Sequence, residues 1–127
     1  MKVNELRYDN IVMYDDDYWS INAIDGSSDE VDLYNEDHVS GLDVYALSPI
    51  SITDELLEIM GFKRMPLSSV KRYYCNQTLF YIQFYKNEWY VYGYKYYPNG
   101  FKYLHELQNI FFFLTGKELE IKLKNLL

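Results

Sequence analysis

The spacing of apolar and polar positions divides the chain into stretches of different period. From Asn10 to Ile52 the apolar residues fall in short clusters separated by acidic or turn-forming residues, a pattern that predicts strands rather than helices. Strands are expected over 11–14, 18–24, 31–34 and 44–47. Between them lie Asp15-Asp16-Asp17, whose adjacent carboxylates repel one another and suit an exposed turn, the hairpin-like loop Asp25-Gly26-Ser27-Ser28-Asp29, and a connection over 35–41. Ser48-Pro49 closes the series by removing a ladder donor. Four short strands with tight connections predict a small SH3-like β-barrel.

The period then changes. Thr53 followed by Asp54 and Glu55 is an N-cap with acidic groups where the helix dipole favours them, and Gly61 suits the left-handed residue that ends a helix. A helix over 54–60 is expected, with Leu56, Leu57, Ile59 and Met60 on its apolar side. Beyond it, residues 73–113 hold 17 of the 24 aromatic residues. Strands over 73–85 and 89–97 are predicted, joined by Lys86-Asn87-Glu88 and followed by the turn Pro98-Asn99-Gly100. Alternation assigns Phe80, Ile82 and Phe84 to the core and Leu79, Tyr81, Gln83 and Tyr85 to the opposite face. On the next strand, Trp89, Val91, Gly93 and Lys95 oppose Tyr90, Tyr92, Tyr94 and Tyr96, which leaves one tyrosine-rich face over.

From 103 to 115 the period is helical, with Leu104, Leu107, Ile110, Phe111 and Leu114 on one stripe and Gly116 as the stop. His105, Gln108 and Asn109 fall on the polar side of this helix. Phe112 and Phe113 lie outside the stripe, so the helix end is apolar nearly all round and needs cover beyond the hairpin. Over 117–127 the alternation of Leu119, Ile121 and Leu123 suits an edge strand, while Lys122 and Lys124 suit a frayed helix; both remain open. The fold expected is α+β within one compact domain, 1–127: a small SH3-like N-terminal β-barrel over 1–52, a linking helix over 53–61, and an aromatic antiparallel hairpin covered by a C-terminal helix over 62–127.

Charge changes this picture by its distribution. The 127 residues carry a net charge of −7, but residues 1–58 sum to −13 and residues 59–127 to +6. The simplest consequence is docking of an acidic half on a basic one; the sharper one is an acidic surface offered to a basic partner, in the manner of a DNA mimic that inhibits a host defence protein. A net negative chain disfavours nucleic acid and anionic membranes as partners. Cys75 is the only cysteine, so no intramolecular disulfide forms and a buried, inert thiol is expected. The N-terminal residues show no apolar signal region, and the longest apolar run, 110–114, is too short for a bilayer span, which points to the cytoplasm.

Little in the chain points to catalysis. His38 and His105 lack a second strong ligand at metal spacing, and the acidic runs lack the order of a calcium loop. No nucleophile motif, phosphate-cradling loop or Cys–His pairing is readable, so no enzyme, cofactor or metal is expected. The aromatic residues carry the candidate binding surface. Tyr90, Tyr92, Tyr94 and Tyr96, with Lys86, Lys95 and Lys102 nearby, have the chemistry to stack on single-stranded nucleic acid or a nucleotide. The same tyrosines suit burial at a protein interface, the reading preferred here. Tyr92, Tyr94, Phe112 and Phe113 are the contact residues expected, with another protein or a second copy as partner.

Three stretches bear a resemblance as a set. They are Asn4-Glu5-Leu6-Arg7 running into Asn10-Ile11-Val12; Ser48-Pro49-Ile50-Ser51-Ile52-Thr53 leading into Leu56-Leu57 and Gly61-Phe62; and Tyr103-Leu104-His105-Glu106-Leu107-Gln108-Asn109 ending in Leu114-Thr115-Gly116-Lys117-Glu118-Leu119. Together they resemble small uncharacterised proteins of Bacteroidetes bacteriophages and prophages. The chain departs from that pattern over 65–76, and at Asp9, where the pattern often has Gly. The resemblance implies a phage or mobile-element origin and residence in the host cell or the virion. It implies no activity.

Overall fold

The computed structural model describes residues 1–66, 68–75, 80–92 and 99–126, to which every structural statement here refers. Two four-stranded antiparallel sheets form, each in simple sequential order. The first comprises β1 (Ile11–Tyr14), β2 (Asp17–Asp25), β3 (Glu30–Tyr34) and β4 (His38–Asp43). A short helix, α1 (Asp54–Ile59), leads into the second: β5 (Phe62–Arg64), β6 (Arg72–Cys75), β7 (Phe80–Tyr85) and β8 (Glu88–Tyr92). Helix α2 (Leu104–Thr115) follows, and the tail ends in a 3-10 turn, Leu123–Asn125.

Aspartate shapes the turns of the first sheet. Asp15 and Asp16 both adopt positive φ, 51° and 60°, and join Tyr14 to Asp17 in a two-residue hairpin whose twist matches the flanking strands. Asp9 and Asp29 also lie at positive φ, so four of the six non-glycine residues in that region are aspartates, whose short polar side chain tolerates it. Asp9, at φ 68°, thus holds a conformation that glycine adopts most readily. Further along, the Asp32 carboxylate accepts the Gly41 N–H at 2.8 Å across a bulge, where Gly41 itself takes φ 63°.

Several elements differ from the sequence expectation. The sheet is an open meander, not the closed SH3-like barrel: no ladder joins β1 to β4. The outer edge of β1 is already taken, since Met13 and Ser48 exchange backbone hydrogen bonds at 2.9 Å and the Ile11 N–H donates to the Gln108 side chain. The fourth strand is 38–43 rather than 44–47, because the Asp43 carboxylate accepts the Tyr45 N–H and starts a 3-10 turn over Val44–Ala46. Its polar, exposed edge carries too little alternation to announce a strand.

The expected long strand over 73–85 is two strands, paired so that Cys75 faces Phe80; residues 76–79, with Leu79, lie outside the described residues. The predicted hairpin is therefore part of a four-stranded sheet. Lys86 and Asn87 form its two-residue turn, both at positive φ. Described pairing of β8 ends at Tyr92, and the expectations for 93–98 fall outside the described residues. Helix α1 starts as predicted, the Thr53 hydroxyl accepting the Leu56 N–H at 3.1 Å, but Ile59 is exposed while Leu56, Leu57 and Met60 are buried.

Two hydrophobic cores result, and β1 is the wall between them. Val12 joins Leu6, Trp19, Ile21, Val31, Leu33, Val44 and Leu47 in the smaller core. Ile11, on the opposite face of the same strand, joins the larger core of α1, α2 and the second sheet. Phe80 and Phe111 meet edge-on there, with ring centroids 5.0 Å apart. In the tail, Leu119 is buried and Ile121, Leu123 and Leu126 pack against the larger core, so it forms neither a paired strand nor an α-helix.

The stripe of α2 is buried as predicted, but its polar side is not solvated. His105 and Gln108 are buried, and Gln108 bridges the Ile11 N–H and the Asp9 carbonyl, each at 2.9 Å. Asn109 accepts from Asn10 Nδ2 at 2.8 Å and donates to the Glu5 carbonyl at 3.0 Å. Side-chain amides thus pair with the backbone of the N-terminal segment, which has no ladder partner on that side. The two halves dock mainly through amides and apolar contacts, and one ion pair, Lys71–Asp54 at 3.1 Å, follows the charge asymmetry. The Arg7–Glu118 ion pair runs against the charge asymmetry, with the cation in the acidic half.

Candidate functional site

Two exposed aromatic surfaces stand out, and they lie on different sides of the molecule. The first is the C-terminal end of α2. Phe111 points into the core toward Phe80, so the next two residues turn away from the sheet. Phe112 is 40% exposed and Phe113 75%. Gly116, at φ 73°, ends the helix by donating its N–H to the Phe112 carbonyl at 2.8 Å. The Arg7 guanidinium lies over the Phe112 ring, 4.1 Å from its centroid, while donating to Asn109 at 3.1 Å and pairing with Glu118. A shallow cleft of about 600 Å³ runs beside these residues, lined by Arg7, Asn109, Ile110, Phe112, Phe113 and Gly116.

The second surface is the outer face of the second sheet. Its inner face carries Phe62, Tyr73, Cys75, Phe80, Ile82 and Trp89 into the core. Strand alternation places the intervening residues outside. Lys63, Tyr74, Tyr81 and Tyr92 form one row across all four strands; Arg72, Gln83 and Tyr90 form the next. The rings of Tyr74 and Tyr81 are 6.4 Å apart, and those of Tyr85 and Tyr90 are 6.5 Å apart. Arg72 donates to Gln83 at 2.8 Å and lays its guanidinium 4.2 Å from the Tyr92 centroid.

Tyr92 is therefore on this face and Phe112 and Phe113 are on the other side of α2; the structure does not bring them together. Tyr94 lies outside the described residues. Sequence reasoning missed Arg7 and Arg72, each of which organises one of the aromatic surfaces. Their signal is weak because the partners lie far along the chain: Arg7 meets Phe112, and Arg72 meets Tyr92 two strands away.

The acidic half forms no third site. Three of its acids serve turns: Asp25 accepts from the Ser27 amide and hydroxyl, Asp32 from Gly41 and Asp43 from Tyr45. The Ser27 hydrogen bonds hold the Asp25 carboxyl below its ordinary value. Among the described residues, no three His, Cys, Asp or Glu side chains converge to hold a metal ion. No helix formed by them is long and apolar enough to cross a membrane.

Three titratable side chains, His105, Tyr73 and Cys75, are buried. His105 stacks on Tyr103, with centroids 6.1 Å apart, and neither ring nitrogen has a hydrogen-bond partner among the described residues. Burial pushes its value down, partly opposed by the carboxylates of Glu106 and Glu5. Burial also pushes the Tyr73 phenol up, helped by the Asp54 carboxylate, which pairs with Lys71 at 3.1 Å. Cys75 is a free, buried thiol. Comparison with protein-family models, with curated proteins and with solved structures finds no match to this chain.

Proposed function

We propose that this chain is a non-enzymatic accessory protein of a phage or mobile element that works by protein–protein binding, self-association first, through the end of α2. The observation that carries the reading is the adjacent exposure of Phe112 and Phe113 on an ordered helix. Burying one such ring is worth about 1.5–3 kcal/mol, and the surroundings have the anatomy of an interface: an apolar centre rimmed by Arg7, Asn109 and Glu118. Because Arg7 and the rings are neighbours, the patch suits a two-fold contact in which each copy's arginine meets the other's phenylalanine. The origin in a phage or mobile element is supported by the three resembling stretches, two of which contribute residues to this patch.

Solution mass by light scattering over a concentration series tests this reading. A dimer or larger assembly is expected, reduced to monomer by Phe113→Ser with the far-UV circular dichroism unchanged. A wild-type mass of one chain throughout, or an assembly indifferent to Phe113→Ser, sinks it.

A further inference from the structure

From the outer face of the second sheet we infer a second binding site, independent of the α2 patch, for single-stranded nucleic acid. Three observations lead there. First, the face combines ring surface with cations: Tyr74, Tyr81, Tyr90 and Tyr92 lie among Lys63 and Arg72, with Lys86 set against Tyr85 at 5.3 Å. Glu88 is the opposing charge on the same described face, and it stands at the end of the sheet opposite Tyr85, beside Gly100. Aromatic rings with basic groups between them are what bases and phosphates require together, whereas lysine is depleted from the centres of protein interfaces.

Second, the spacing selects the form of the strand. Ring centroids 6.4 and 6.5 Å apart are nearly twice the rise of about 3.4 Å between nucleotides stacked in a duplex. The paired rings are also tilted against each other, by 46° and 61°, so the parallel bases of a stacked helix do not match them, whereas splayed bases of a single strand can meet exposed rings at different angles. Third, Arg72 is pre-positioned. Its Nε donates to Gln83 and its guanidinium rests on Tyr92, so the plane is fixed while its outer face and remaining N–H groups are available to a base or a phosphate.

The net charge of −7 does not oppose this site, because the surplus of acid belongs to residues 1–58, where Asp25, Asp32 and Asp43 sit in turns of the other sheet and Asp54 is paired with Lys71. Screening limits its reach at physiological salt to about 8 Å.

Fluorescence anisotropy of labelled oligothymidylate and oligouridylate, titrated with the full chain at two salt concentrations, tests the site; the two probes distinguish DNA from RNA. Binding that weakens with salt is expected, with the duplex form of either probe binding more weakly. Tyr92→Ala should lower affinity about tenfold, Tyr92→Phe should preserve it, and Arg72→Gln should reduce the salt slope by about one. Tyr34→Ala, an exposed tyrosine of the first sheet, should change nothing. Failure to bind either probe at low salt overturns the inference, as does equal binding of duplex, or affinity unaffected by both Tyr92→Ala and Arg72→Gln.

Discussion

The two sheets have the same number of strands and the same sequential order, yet they spend their polar residues differently. In the first, acid makes the turns: Asp15 and Asp16 take left-handed backbone, and Asp25, Asp32 and Asp43 accept backbone N–H groups. In the second, charge stands on the outer face beside tyrosine rings, as Arg72 does on Tyr92. The same composition statistic, a strong local charge bias, therefore marks backbone chemistry in one half and surface chemistry in the other. Only the second is a candidate for recognising a ligand.

The sheets are joined through the two faces of β1, with Val12 in one core and Ile11 in the other, and through Gln108. Replacing that glutamine tests the junction most severely. Gln108→Leu leaves the buried Ile11 N–H without its partner, at about 1–3 kcal/mol, and removes the donor to the carbonyl of the exposed Asp9 at about 1 kcal/mol. A loss of about 2–4 kcal/mol is expected in urea unfolding followed by circular dichroism, still in one transition because β1 serves both cores. Two separated transitions in the wild-type chain would break the comparison, making the sheets independent units.

How far this organisation was legible follows from range. Local signals succeeded: the Thr53 cap, the α2 stripe ending at Gly116, the inward set Phe80, Ile82 and Phe84, and the acidic turn after Tyr14 each depend on residues within a few positions. What failed depends on partners that no local pattern shows. His105, Gln108 and Asn109 look solvated because they oppose the apolar stripe, yet the N-terminal segment, about a hundred residues earlier, takes the amides of Gln108 and Asn109, and His105 is buried on Tyr103. The open edge of β1 is settled by those same amides and by Ser48, so barrel closure could not be judged from strand spacing. Of the candidate contact residues, Tyr92, Phe112 and Phe113 were legible as exposed aromatics, but their separation onto two surfaces required the topology.

A smaller effect separates acids with a backbone role from acids without one. Asp25, Glu30 and Asp43 stand opposite one another on three adjacent strands, a row of like charges that costs stability. Asp25 and Asp43 each accept a backbone N–H, whereas the Glu30 carboxylate accepts none from the described residues. Glu30→Lys should therefore stabilise the fold by about 0.2–1 kcal/mol per opposed pair, while Asp43→Lys should destabilise it by losing the cap on Tyr45. Thermal unfolding compares them. Equal shifts of the same sign would mean that the first sheet responds to charge alone, and the contrast drawn between the sheets would fail.

The last effect vanishes at neutral pH and grows only on acidification. His105 is buried on the flank of α2 where Glu5 and the N-terminal amine act on it, so it belongs to the junction of the halves. Burial lowers its native value, whereas the unfolded chain binds a proton near the ordinary value of 6.5. Below 6.5, down to the depressed native value, the unfolded state holds more protons than the native state, so stability falls as pH falls. His105→Leu removes the titrating ring, and its stability should decline less than that of the wild type between pH 7 and about pH 5. Urea midpoints at the two pH values supply the comparison. Parallel decline in both proteins would mean that the imidazole takes up its proton without leaving the native packing, which is incompatible with a ring closed in between α2 and the N-terminal segment.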